Sequence, residues 1–139
     1  MDEGWTRFLF RQDGGYQIGC NPTIDNVSTS DLISADGRNI GGRFTTSIIF
    51  PDQSPNQILN GYPKGSMPEE YTGGVGKEGV ENLKKFVEEG GTLVFLNRSS
   101  DFAIEQFKLP IKDITRGLAR KDFFIPGSIL RTKLDLTHP

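Results

Sequence analysis

The chain has 139 residues, of which 35% are hydrophobic and 24% charged, with 17 Gly and 8 Pro. That is enough for one modest α/β domain with a single thin core and too little for two. A net charge of −2, with Lys and Arg interspersed among carboxylates, argues against a phosphate-tracking nucleic-acid surface, and no apolar run approaches the ~20 residues that cross a bilayer.

In chain order, residues 4–12 have the spacing of a short helix, with Trp5, Phe8 and Leu9 on one face. From residue 13 to 43 the pattern is irregular and rich in glycine, and only residues 16–18 and 31–33 resemble strand or helix fragments. Residues 46–50 form a β-branched, apolar run stopped by Pro51, as in a buried parallel strand. Residues 52–76 are expected as a long polar loop. The strongest helix spans 78–89, with Val80, Leu83 and Val87 on one stripe and Phe86 beside it. Glu81, Lys84, Lys85 and Glu88 lie opposite, and Gly90 suits the C′ position. Residues 92–96 give a continuous apolar strand. Ser99 or Ser100 then caps a helix over 101–107 that Pro110 ends. Residues 123–125 and 128–134 look extended, and 116–121 looks like a solvated basic turn. Strand, helix, strand, helix implies βαβ units and a parallel sheet. Trp5, Phe8, Phe86, Phe95, Phe102 and Phe107 are expected in the core.

The single cysteine, Cys20, leaves no internal disulfide, and the single histidine, His138, leaves no His-rich zinc set. No metal site is expected. Cys20 has no neighbouring base in sequence and is expected as a nonfunctional thiol. Gly74, Gly76 and Gly79 satisfy G-x-G-x-x-G at a helix entry, where a phosphate would sit on the helix N-terminus. The dinucleotide fingerprint needs a strand immediately before the first Gly, however, and residues 68–72 are not one. Asp52, Gln53 and Ser54 follow a strand, at the edge where open α/β sheets bind ligands. Glu69, Glu70 and Tyr71 are placed over the same edge. A solvated loop is the plainer account of both.

The run PDQSPNQILNGYPKGSMPEEYTGGVGKEGVENLKKFVEEGGTLVFLN, with SDFAIEQFKLP and IPGSILR after it and DEGWTR near the start, resembles the C-terminal glutamine-amidotransferase-like domain of bacterial zinc carboxypeptidase homologues. The resemblance is dense from residue 44 to 139 and nearly vanishes over 13–43. It implies a flavodoxin-like three-layer sandwich of the class I glutamine amidotransferase-like type, mostly parallel and incomplete at both flanks, as one domain over 1–139. It implies a nucleophile position after the strand that follows Gly90 and Gly91, and Asn97 stands there. An amide cannot be deprotonated to attack a carbonyl. The expectation is therefore a noncatalytic accessory domain, with the parent's zinc ligands upstream, the parent secreted or periplasmic, and no cofactor in this chain. Its partner would be the neighbouring peptidase domain, met at Asp52, Gln53 and Asn97, with homo-oligomers through exposed sheet edges. No nucleic acid and no membrane are expected. The rival readings are a small-molecule or phosphate-binding module at the 74–79 helix entry, an amidohydrolase or amidotransferase using Cys20 with His138, and a fragment with no independent function.

Overall fold

The computed structural model describes residues 27–69, 72–124, 131, 133 and 137. The chain runs α1 (Thr29–Ile33), β1 (Asn39–Ile40), β2 (Arg43–Phe44), β3 (Ser47–Phe50), α2 (Pro55–Asn60), α3 (Gly76–Glu88), β4 (Thr92–Phe95) and α4 (Ser99–Phe107). The helix expected over 4–12, the fragment at 16–18, and Trp5, Phe8, Cys20, Glu70, Tyr71 and His138 lie outside the described residues. So does most of the segment expected as extended over 128–134. Phe123 and Phe124, expected to begin an extended segment, belong to no strand.

The protein is α/β, and its centre is the parallel pair β3–β4, registered Ser47↔Thr92 through Phe50↔Phe95. The connection between them passes through α2 and α3, as parallel strands require a crossover. Side chains alternate across each strand. Ile48 and Phe50 are buried, while Ser47 and Ile49 on the other side are exposed. The expectation of strands buried on both faces is thus corrected, because Ile49, Val94 and Leu96 are each 37% exposed. On the covered side, Ile58, Leu83, Phe86 and Phe102 join Ile48 and Phe50 in one cluster, with Leu93, Phe95 and Phe107 packed against it. Phe50 and Phe95 stack at 4.7 Å from paired positions, and Phe102 meets each of them at 6.1 Å. Each fully buried side chain of this size contributes ~1.5–3 kcal/mol.

Helix α3 begins two residues earlier than its stripe predicts and buries Gly79, Val80, Leu83 and Phe86. Val87, placed in the core by its spacing, is exposed, and Phe86 takes that role. Helix α3 packs against α1. A Cβ at Gly79 would come within 2.5 Å of the Val75 side chain at the helix's own N-cap, so glycine there makes room for the buried Val75. Phe86 then lies against Gly91, where an added Cβ would come within 2.3 Å of its ring. The C-terminus is a complete Schellman motif: Gly91 N–H donates to Phe86 C=O (2.8 Å), Gly90 N–H donates to Val87 C=O (2.9 Å), and Gly90 has φ 87°.

The two regions expected as irregular are partly ordered. Ser28 and Asp31 form a reciprocal capping box that starts α1, and Asn82 Nδ2 donates to the Leu32 and Ile33 carbonyls at its other end (3.0 and 2.8 Å). β1 and β2 form a hairpin turned by Gly41 and Gly42, both with positive φ, the dihedral requirement of a tight hairpin turn. The expected loop over 52–76 contains α2. Ser54 caps it by accepting from Gln57 N–H (3.3 Å), Pro55 stands at its first turn, and Gly61 (φ 66°) stops it.

Candidate functional site

The C-terminal ends of β3 and β4 lie side by side because the strands are parallel and in register, and the chain turns sharply there on both sides. After β4, Asn97 adopts φ 54°, a left-handed conformation that Asn tolerates better than most residues and that costs other side chains ~1–2 kcal/mol. That single residue reverses the chain from strand into α4. Ser99 and Ser100, expected as helix caps, do something else: α4 begins at Ser99 and has no side-chain cap. The fully buried Ser99 hydroxyl lies 2.7 Å from the Leu96 carbonyl oxygen and 3.2 Å from that of Phe50, so its one proton serves the ends of both strands. Ser100 Oγ donates to Phe95 C=O at 3.4 Å. The cause is the helix starting earlier than its apolar spacing indicates, which points these hydroxyls back at the strand carbonyls.

Asp52 follows β3 and faces this turn. It accepts from Arg98 Nε (2.8 Å), Arg98 Nη2 (3.2 Å) and the Arg98 backbone N–H (3.3 Å). The fork-to-carboxylate match makes this a charge-assisted, bidentate pair. The Arg98 side-chain hydrogen bond holds the Asp52 carboxyl below its usual range, against a small opposing effect of burial, and the Asn97 amide adds to the lowering. The sequence-predicted residues Asp52 and Asn97 are therefore brought together. Arg98, which completes the group, was missed: its only signal is a charge that finds a partner 46 residues away, a separation no local pattern displays. Gln53 is exposed beside them, and Ser54 is spent on capping α2.

A groove of about 340 Å³ opens beside the turn, with Asn97, Arg98, Ser100, Asp101 and Asp113 among its lining residues. Thr115 holds Asp113 through its N–H and hydroxyl, both at 2.7 Å, and these bonds lower its carboxyl below the usual range. An amide, a guanidinium and hydroxyls can bind a polar group. A carboxylate kept ionised and fully engaged is poorly suited to remove a proton near neutral pH, where a base needs a pKa close to the working pH.

The other glycines predicted as a site lie elsewhere. Gly74 packs on the end of α2, where an added Cβ would come within 2.5 Å of backbone atoms of Leu59 and Gly61. Gly76 has φ 62°, and Gly79 provides the contact with Val75 described above. Each glycine meets a demand of the chain's own backbone or packing. Glu69 is exposed and accepts through its carbonyl from Thr72 N–H and Oγ (3.1 and 2.8 Å). Among the described residues, no three His, Cys, Asp or Glu side chains are grouped to hold a metal ion, and no helix is long and apolar enough to cross a membrane. No protein-family model, curated protein or solved structure matches the chain.

Proposed function

We propose that this chain is a noncatalytic accessory domain of a zinc carboxypeptidase-like protein, with a flavodoxin-like sandwich of the glutamine-amidotransferase type, and that the crest at Asp52, Gln53 and Asn97 contacts the catalytic domain. The observation that supports it most is the turn between β4 and α4. A sharp strand-to-helix turn with positive φ is where enzymes of several folds present a nucleophile, and here it carries the Asn97 amide, which has no acidic proton to lose. The carboxylate across from it is committed to Arg98, leaving a polar, satisfied surface suited to recognition. The parent would cleave C-terminal peptide bonds with a metal-activated water. Zinc would be held by the parent's own residues, since one Cys and one His in this chain do not make a tetrahedral set.

The test is association with a separately produced zinc carboxypeptidase domain of the family this chain resembles. Alanine at Asp52, Gln53 and Asn97 together is expected to weaken that association by about tenfold or more, the effect of losing an interface anchor. Unchanged association removes the reading.

A further inference from the structure

Beyond the crest, and independently of the role proposed for it, we infer that residues 108–124 form a strap by which two copies of this chain pair, each strap lying on the acidic body of the other. After α4 the chain turns left-handed at Lys108 (φ 52°), and residues 108–124 contain neither helix nor strand. A structureless stretch of this length in a small domain is generally functional or a linker. This one alternates charged with large apolar side chains. Ile114 is 82% exposed, Ile111 61%, Phe124 53% and Leu118 49%, a series of large apolar side chains of the kind that marks an interaction surface.

Charge identifies the occupant. The strap carries Lys108, Lys112, Arg116, Arg120 and Lys121 against Asp113 and Asp122, whereas residues 27–107 hold eleven carboxylates and seven basic side chains. The surface complementary to the strap is thus present on the chain itself, with Ile49, Val94 and Leu96 on the open sheet face as apolar counterparts. Among the described residues the strap meets its own body where Leu109 N–H donates to Ile104 C=O (3.2 Å), where Arg116 pairs with Glu105, and where Asp113 and Thr115 border the groove beside the crest. Every copy has one strap and one body, so two copies that exchange straps satisfy both contacts and close. A lipid surface suits the strap less well, because irregular backbone entering hydrocarbon leaves its N–H and C=O groups without partners. Single-stranded nucleic acid would use aromatic stacking faces; the strap has two, Phe123 and Phe124, at its far end, with the Phe124 ring covered by the Arg120 guanidinium at 4.0 Å, whereas Ile111, Ile114 and Leu118 offer none.

Sedimentation of the full chain over a range of concentrations tests this. A reversible dimer is expected that weakens between 0.1 M and 1 M salt, as the screening length falls from about 10 Å to about 3 Å. Ile114→Asp with Leu118→Asp is expected to give a monomer with an unchanged far-UV spectrum, since Ile114 is largely and Leu118 about half in water and neither belongs to a helix or strand. Lys112→Glu with Lys121→Glu is expected to raise the dissociation constant by about tenfold or more. A monomer at every concentration, open-ended oligomers, or a dimer indifferent to both pairs of substitutions overturns the proposal. So does strap-dependent binding of the monomer to phosphatidylserine vesicles or to a single-stranded RNA oligonucleotide. None of these outcomes bears on the peptidase-domain assay, which uses Asp52, Gln53 and Asn97.

Discussion

The β3–β4 unit and the strap after α4 are both well supplied with large apolar side chains, yet one buries them and the other leaves them in water. In the first, Phe50 and Phe95 occupy paired positions of parallel strands, so their rings are held at 4.7 Å and Phe102 closes over both. In the second, Phe123 and Phe124 follow one another along an irregular chain and are 43% and 53% exposed, with the Arg120 guanidinium 4.0 Å above the Phe124 ring. Apolar content alone does not make a core. Register does, by fixing which side chains meet.

The sharpest way to break this comparison is to remove one large side chain from each region. Phe102→Ala leaves a cavity beneath two stacked rings and is expected to cost ~3–5 kcal/mol. Ile114→Ala is expected to stay within about 0.5 kcal/mol, as surface changes do. Urea unfolding of both variants at a concentration where the chain is monomeric checks the pair. Similar losses in the two would mean that the strap belongs to the folded core. Next in size is Gly61→Ala. Gly61 has φ 66° and ψ −157°, a region nearly reserved for glycine, and a Cβ there would sit 1.8 Å from the Gly73 carbonyl oxygen. Left-handed strain of ~1–2 kcal/mol adds to an overpacking cost of ~1–3 kcal/mol. Gly65→Ala, also at positive φ (86°) but with open space around it, should show the strain alone.

The same contrast governs what could be seen in the sequence. β3, α3, β4 and α4 were legible because burial of one face imposes a period, and a period survives in a single chain. α2 and the β1–β2 hairpin were missed, although Ser54-Pro55 with Gly61, and Gly41-Gly42, are start, stop and turn signals for them. Those elements are six residues and two residues per strand, too short for a period to accumulate. Val87 was misplaced because the stripe defines a helix face only approximately, and Phe86 beside it takes the buried position. At the site, Asn97 was singled out by the resemblance alone, as the residue standing where that family would place its nucleophile. Arg98 and the strand-bridging role of Ser99 were not, because both depend on the ends of two distant strands arriving together.

Capping gives a smaller effect that sharpens the comparison between short and long helices. α2 has one buried residue, Ile58, and a side-chain cap, whereas α4 has three buried residues and none. Ser54→Ala is expected to cost ~1 kcal/mol and to loosen α2 locally, read as faster amide exchange at Gln57 and Ile58 with little change at Phe102. Equal acceleration in both helices would show that α2 unfolds only with the whole core.

Asp52→Asn is expected to have the smallest effect, and pH reveals its sign. The pair joins the ends of β3 and β4, but the Arg98 side chain is 59% exposed and that of Asp52 27%, so solvent screening limits the contribution to about 0–1 kcal/mol. The Asp52 carboxyl titrates lower in the folded chain than its ordinary 3.8, because Arg98 stabilises the ionised form. A carboxyl lowered by folding stabilises the native state in full above the unfolded value, and that stability is lost as pH falls through the folded one. The amide cannot ionise, so the variant should be slightly less stable than the native chain at pH 7. The two should converge as pH falls below 3.8, while Asp31 and Asp113, lowered by Ser28 and Thr115, contribute equally to both curves. A difference that holds constant or widens on acidification would mean that Asp52 matters for its shape and hydrogen bonds rather than its charge, and the crest would then have to be understood as a neutral polar surface.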